Sequence, residues 1–79
     1  MVELFVVQPY RSTEHRFEPE MPVQCTTLDS AIRRAEELCE TYDGAAILSV
    51  MFDPVTFFYG SYKVLQKFGK VPEDPLGVL

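Results

Sequence analysis

A single amphipathic stripe between residues 28 and 42 constrains the fold of this chain more than any other feature. Its apolar positions recur at offsets of 0, 3, 4, 7, 10, 11 and 14, which is the spacing of one helix face: Leu28, Ala31, Ile32, Ala35, Leu38, Cys39 and Tyr42. Thr26 and Asp29 have the spacing of a capping box, and Gly44 is a plausible stop. The stripe predicts a helix of about four turns that buries only one face.

The residues before the helix predict two strands. Val2–Gln8 is rich in β-branched and large apolar residues, which indicates a central strand covered on both faces. Residues 11–22 are polar and contain two prolines, so we expect a long surface loop there. Val23–Thr26 predicts a short second strand, and the nearby prolines favour an edge position beside the first strand.

The residues after the helix predict a hairpin. Residues 45–52 are apolar on both faces, and Asp53-Pro54-Val55-Thr56 fits a type I turn because proline fixes the φ of the second position. The return strand, 58–68, alternates, and Gly60 indicates a bulge within it. This alternation predicts one shared face for Tyr62, Val64, Gln66 and Phe68.

Together these elements predict an α+β fold of order β-β-α-β-β. One amphipathic helix packs on one face of an antiparallel sheet of three to four strands. A chain of 79 residues supports a single core, so we expect one domain over residues 1–71 and a flexible tail over 72–79. One helix covers one face, so the second face of the sheet lacks a cover within the fold.

The charge balance disfavours nucleic acid as a partner. Seven Lys and Arg against 12 Asp and Glu give a formal net charge of −5, the wrong sign for binding phosphate backbones. Lys63, Lys67 and Lys70 could form a local basic patch, although lysines also protect edge strands from pairing. No apolar run is long enough to span a membrane and no signal-peptide pattern opens the chain, so we expect a cytoplasmic protein without a membrane partner.

The sequence offers no set of residues for catalysis. Cys25 and Cys39 are too few for a disulfide framework and form no Cys-x-x-Cys pair. Cys39 lies on the helix stripe, where burial would raise its thiol pKa and make it unreactive. His15 lies between two charged residues, as a solvated histidine would, and a Cys-His nucleophile would need a third orienting group. We therefore expect no catalytic residue and no enzyme activity.

An acidic loop is the one candidate for a cation. Glu14, Glu18 and Glu20 could supply oxygen ligands to a hard cation, but prolines interrupt them and no glycine-centred ligand loop is present. Solvated carboxylates are the alternative that we favour. No glycine-rich phosphate loop occurs. We predict no metal-binding and no cofactor-binding residue.

The aromatic hairpin is the candidate functional surface. Phe52, Phe57, Phe58, Tyr59 and Tyr62 lie within eleven consecutive positions, more than one small core needs. Strand alternation sends Phe57 and Phe58 to opposite faces unless a bulge intervenes. We therefore expect at least one large ring on the face away from the helix. Large exposed apolar patches mark interaction surfaces, so these five residues are the predicted interface.

Several occupants of that surface remain open. The first is a second copy of the chain in a two-fold homodimer that covers the open sheet face or pairs the hairpin edge. An unidentified protein partner and simple packing into the core are the alternatives. A further hypothesis is a small-molecule binding protein in which Phe57, Phe58, Tyr59 and Tyr62 line a pocket for a flat aromatic ligand, with Ser61 and the tyrosine hydroxyls as polar groups.

Residues 49–72 resemble the C-terminal part of a group of small uncharacterised bacterial proteins. The resemblance is carried by an Asp-Pro-x-Thr turn and by a Val-Leu-x-x-Phe-Gly-x-Val-Pro ending, at Asp53, Pro54, Thr56, Val64, Leu65, Phe68, Gly69, Val71 and Pro72. It implies the same capped helix and hairpin, and it implies no activity. This chain departs from the pattern at Phe52 and Phe57, where glycine is expected, and at Val50, Val55 and Phe58, where polar residues are usual.

Overall fold

A computed structural model describes residues 1–73 and shows an α+β fold, as predicted: one helix packs on an antiparallel sheet. The elements of this part are β1 (Val2–Ser12), β2 (Phe17–Pro19), β3 (Val23–Cys25), α1 (Leu28–Leu38), β4 (Gly44–Asp53) and β5 (Phe58–Gly69). Most of the predicted tail, residues 74–79, lies outside the described residues. Pro72, also predicted to belong to the tail, is buried.

The sheet has the order β2-β1-β4-β5, and β3 also pairs with β1. Strands β2 and β3 therefore lie end to end along one edge of β1, while β1 and β4 are interior, as the apolar composition of both predicts. Pro9 is tolerated inside β1 because its missing N–H faces the gap between β2 and β3. The Pro9 carbonyl points the same way and accepts from the Glu20 N–H at 3.0 Å.

The polar segment 11–22 is not the plain loop that we expected. β1 continues to Ser12, and Phe17–Pro19 returns along it as β2. A turn closes this hairpin, in which the Thr13 N–H donates to the Arg16 carbonyl at 2.8 Å. The Phe17 ring meets the buried Tyr10 ring edge-on at a centroid distance of 6.5 Å. Strand pairing, turn hydrogen bonds and this aromatic contact thus order a segment whose composition is typical of a loop. The described part of the sheet has five strands.

The helix is shorter than the stripe predicts, and it begins one position later than the predicted cap at Thr26 implies. Its N-cap is Thr27, whose hydroxyl accepts from the Ser30 N–H at 3.1 Å, so the predicted cap at Thr26 is wrong. It ends at Leu38 with Cys39 as C-cap, and Gly44 is the first residue of β4. Gly44 lacks a side chain for another reason: a Cβ there would clash with the Lys70 carbonyl oxygen. No helix in the described part of the chain is both long and apolar enough to cross a membrane.

The core lies between the helix and one end of the sheet. Its buried members are Val7, Ala31, Ala35, Ala45 and Ile47. Three of these are alanines, which allow the helix to approach the sheet closely. An 11-residue helix is about 16 Å long, whereas the ten residues of β4 span about 33 Å. The helix therefore extends along roughly half the length of one face. No described helix packs on the other face.

Candidate interaction surface

Strand register assigns each side chain to a face of the sheet. Val7 pairs with Ile47 and belongs to the helix-packed core, so odd-numbered residues of β1 and β4 face the helix. Even-numbered residues face the other way: Leu4, Val6, Gln8, Ala46, Leu48, Val50 and Phe52. We call this second side the helix-free face, because α1 packs on the opposite side. It is almost entirely apolar along both interior strands.

Two bulges in β5 decide which of its side chains join the helix-free face. Tyr62 pairs with Val50 and Tyr59 with Phe52, so two β5 residues, Gly60 and Ser61, lie opposite Met51 alone. The bulge predicted at Gly60 is confirmed. It places two tyrosines three positions apart on the same face, where plain alternation would separate them.

The second bulge is at Leu65 and was not predicted. Val64 pairs with Leu48, yet Gln66 pairs with Ile47, so the side chains change face between them. Phe68 accordingly packs against the helix-side core. The expectation that Tyr62, Val64, Gln66 and Phe68 share one face is therefore wrong: the first two lie on the helix-free face and the last two on the helix side. Alternation counted along one strand cannot reveal an extra residue in its pairing.

The hairpin connection spans residues 54–57, one position later in the chain than the predicted turn at 53–56. The Asp53 carboxylate accepts from the Val55 N–H at 2.9 Å, as an Asx turn does. Phe57 ends the connection with φ of 58°, the left-handed conformation that glycine adopts readily and a bulky residue rarely does. Glycine is the residue that the resembling proteins lead one to expect at this position.

Three rings cluster where the hairpin ends. The Phe52 and Tyr59 centroids are 4.8 Å apart, and those of Phe52 and Phe57 are 6.3 Å apart. Phe52 is half-buried, but Phe57 is 74% and Tyr59 54% exposed, and Tyr62, further along the strand, is 48% exposed. Four of the five predicted interface residues thus lie on, or contact, the helix-free face. The expectation of at least one large ring on that side agrees with the register.

Phe58, the fifth, is placed apart from the others. It pairs with Asp53, one position from the Phe52–Tyr59 pair, so it projects to the helix side. There it lies beyond the end of the helix contact and is 63% exposed. The structure does not bring Phe58 together with the other four rings.

A groove of about 310 Å³ runs along the helix-free face beside the aromatic cluster. Leu48 and Val50 form its floor and are each only 1% exposed, although no described helix covers them. Tyr59 and Tyr62 of β5 form one wall. The opposite side carries residues of β1 and the segment around β3, namely Leu4, Val6, Gln8, Pro22 and Gln24. On the β5 side the groove is deep because the Tyr59 and Tyr62 side chains are larger than those of Leu48 and Val50.

The residues of the other candidate sites are dispersed or paired. Lys63 and Lys67 pair with β4 residues on opposite faces, so they form no joint patch. The carboxylates of Glu18 and Glu20 each lie 3.2 Å from an arginine nitrogen. Residues 1–73 contain no group of three or more His, Cys, Asp or Glu side chains that could hold a metal ion.

The cysteine and histidine positions agree with the reading from the sequence. Burial raises the pKa of the Cys39 thiol, as predicted for a position on the helix stripe. The His15 side chain is exposed, and its Nε2 lies 3.9 Å from the Glu14 carboxylate. Both side chains of this pair are exposed to solvent.

Comparison with known proteins adds no functional information. A scan against protein-family models finds no match for the chain, and searches of curated proteins and of solved structures find none either. The resemblance of residues 49–72 to small bacterial proteins therefore rests on its motif positions alone and identifies no family.

The sequence pointed to the aromatic residues of this surface and to a pocket among them, but it missed the floor of the groove and its opposite wall. Pro22 and Gln24 contribute one side of it, and their sequence neighbourhood is that of a polar loop. The signal that could have found the floor was present: residues 46, 48, 50 and 52 form an apolar face in addition to the face that the helix covers. Of the four residues expected to line a ligand pocket, Tyr59 and Tyr62 line the groove, whereas Phe57 and Phe58 do not border it.

Proposed function

We propose that this chain is a non-enzymatic, cytoplasmic interaction module that forms a two-fold homodimer through its helix-free face. The observation that carries the proposal is the group of exposed rings at the hairpin end, Phe57, Tyr59 and Tyr62, beside a face that no described helix covers. Monomeric proteins rarely expose a contiguous apolar patch of more than about 300–600 Å². A second copy would remove this one from water.

The size of the face is consistent with a small dimer interface. Four strand positions spaced about 4.8 Å apart, each about 30 Å long, give a flat area of about 600 Å² before side chains are counted. Stable interfaces bury about 600–1,000 Å² per partner. The helix-free face therefore suffices only if most of it is covered, including the aromatic cluster at the hairpin end.

The distribution of charge favours a second copy over a charged partner. The chain carries a net charge of −5, so two copies repel, and the repulsion is smallest when they meet through uncharged surface. The paired positions of β1, β4 and β5 place one charged residue on the helix-free face, Lys67, whose ammonium group donates to the Glu73 carbonyl at 2.9 Å. A face with a single charged side chain can pack against the same face of a second copy without bringing many like charges together.

The sheet edge is the less suitable route to association. β5 is a long edge strand, but its two bulges interrupt the row of free backbone groups that a partner strand would need. Lys63 and Lys67 lie along it as well, and lysine on an edge opposes pairing. Face-to-face contact therefore agrees better with this geometry than edge pairing.

Light scattering coupled to size exclusion tests the proposal over a range of protein concentrations. We expect the mass of a dimer at high micromolar concentration and dissociation on dilution. The variant Phe57→Asp places a charge in the interface, and aspartate tolerates a positive φ better than most residues. Charging such a position costs about 2 kcal/mol or more. A two-fold dimer contains the residue twice, so the dissociation constant should rise roughly 100-fold or more.

Phe58→Asp is the matched control, since it changes an adjacent, similarly exposed ring on the opposite face. It should leave the dimer intact, and both variants should keep the circular dichroism spectrum of the parent chain. A strictly monomeric parent chain at high micromolar concentration would overturn the proposal. Equal dissociation by the two variants would show that the helix-free face is not the interface.

A further inference from the structure

The groove on the helix-free face has the features of a small-molecule site. Its volume of about 310 Å³ lies at the small end of the usual range for ligand pockets, about 300–1,000 Å³. The floor residues Leu48 and Val50 are buried to 99% in the uncomplexed chain. A ligand would therefore touch only the few floor atoms that border the groove, and most of its contacts would be to the exposed walls.

The bulge at Gly60 and Ser61 assembles the wall of this groove. Without it, Tyr59 and Tyr62 would project to opposite faces, and one wall would lose a ring. Bulges are frequent beside binding sites because they redirect a side chain. Here the redirected rings are about half exposed, so each offers an accessible aromatic surface.

The chemistry of the lining restricts the ligand. The described lining residues are apolar, aromatic or amide-bearing, and none of them carries a charge. A charged ligand in this groove would lose water without gaining a counter-ion. The polar groups of the described lining are the amides of Gln8 and Gln24 and the tyrosine hydroxyls, and the Gln8 Nε2 already donates to the Pro9 and Glu20 carbonyls.

We infer that this groove binds a neutral, flat, largely apolar small molecule, held between the rings of Tyr59 and Tyr62 and the opposite wall at Pro22 and Gln24. The inference rests on the proposed function in one respect, because the groove lies in the face that the second copy covers. Interfaces pack as densely as protein interiors, so a ligand that fills the groove should also strengthen association.

Equilibrium dialysis at pH 7 with 2-naphthol tests the inference, with naphthalene-2-sulfonate as a charged probe of similar shape. The neutral probe should saturate at one molecule per chain, and the sulfonate should bind at least about tenfold more weakly. Tyr62→Ala should weaken 2-naphthol binding about three- to tenfold through loss of ring contact. Tyr62→Phe keeps the ring and should stay within about twofold of the parent chain.

Phe58→Ala controls for non-specific adsorption, since it removes an exposed ring outside the groove, and it should leave the affinity unchanged. Non-saturable binding, equal binding of both probes, or equal loss in Phe58→Ala and Tyr62→Ala would overturn the inference. Light scattering on the same samples separates the two claims. A dimer without saturable probe binding overturns only the ligand site, and a monomer that binds the probe overturns only the proposed dimer.

Discussion

Phe57 combines two properties that are each unfavourable in an isolated domain. Its backbone has a φ of 58°, and its ring is 74% exposed to solvent. A left-handed conformation costs a residue with a side chain about 1–2 kcal/mol, and the ring lies 6.3 Å from the Phe52 ring while most of its surface stays exposed. Strained residues of this kind persist where the surroundings or a binding partner compensate the strain. This is the residue-scale reason for placing Phe57 at an interface.

Replacing this residue separates its strain from its ring. Phe57→Gly removes both, and Phe57→Ala removes the ring but keeps the Cβ that opposes a positive φ. We expect the glycine variant to be more stable than the alanine variant by about 1 kcal/mol in the free energy of unfolding. Urea denaturation at a concentration where both are monomeric measures this difference. An alanine variant as stable as the glycine variant would show that residue 57 is not held in the left-handed region.

At the scale of elements, the apolar periodicity of residues 28–42 predicts the helix but not the residue at which it ends. The stripe from Leu28 to Leu38 is helical as predicted, but its last members lie in the turns after Leu38. There the chain must reverse to begin β4, and the Tyr42 N–H donates to the Leu38 carbonyl at 2.8 Å. A helical spacing of apolar residues persists through this turn because such turns place side chains much as a helix does.

The start of the helix gives a direct test of the cap. Thr27→Ala removes the hydroxyl that accepts from the Ser30 N–H and should lower the free energy of unfolding by about 1 kcal/mol. Thr26→Ala makes the same chemical change one position earlier and should alter it by less than about 0.5 kcal/mol. Thermal or urea denaturation of the two variants compares them. A larger loss in Thr26→Ala would restore the capping box that the sequence suggested.

For the whole molecule, self-association depends on two properties: the net charge of −5 and a helix-free face with almost no charged side chains. The helix exposes charged residues on its solvent side, and Arg34 and Glu37 form an ion pair there with N–O distance 3.1 Å. Such exposed pairs contribute little to stability. The main effect of the net negative charge is therefore repulsion between molecules. This repulsion comes from surfaces other than the helix-free face.

This contrast predicts how self-association responds to salt. Raising sodium chloride from 0.05 to 0.5 M shortens the screening length from about 14 Å to about 4 Å, so repulsion between the two acidic copies weakens. We expect the dissociation constant of the dimer to fall roughly two- to tenfold. Sedimentation equilibrium at the two salt concentrations measures it. A dimer that weakens with salt would indicate ion pairs across the interface and an interface other than the helix-free face.

The sequence by itself determined the architecture, the position of the hairpin and the excess of aromatic side chains, because these follow from local spacing and composition. It predicted the bulge at Gly60, since glycine is a local signal. The tertiary structure alone decided the pairing that creates the second bulge at Leu65, the strand at Phe17–Pro19, and the groove between Tyr62 and Gln24. The bulge and the groove depend on contacts between residues distant in sequence, and the period of one segment carries no information about its partner. The strand at Phe17–Pro19 pairs with the nearby residues Tyr10–Ser12, but its polar composition gives no strand signal.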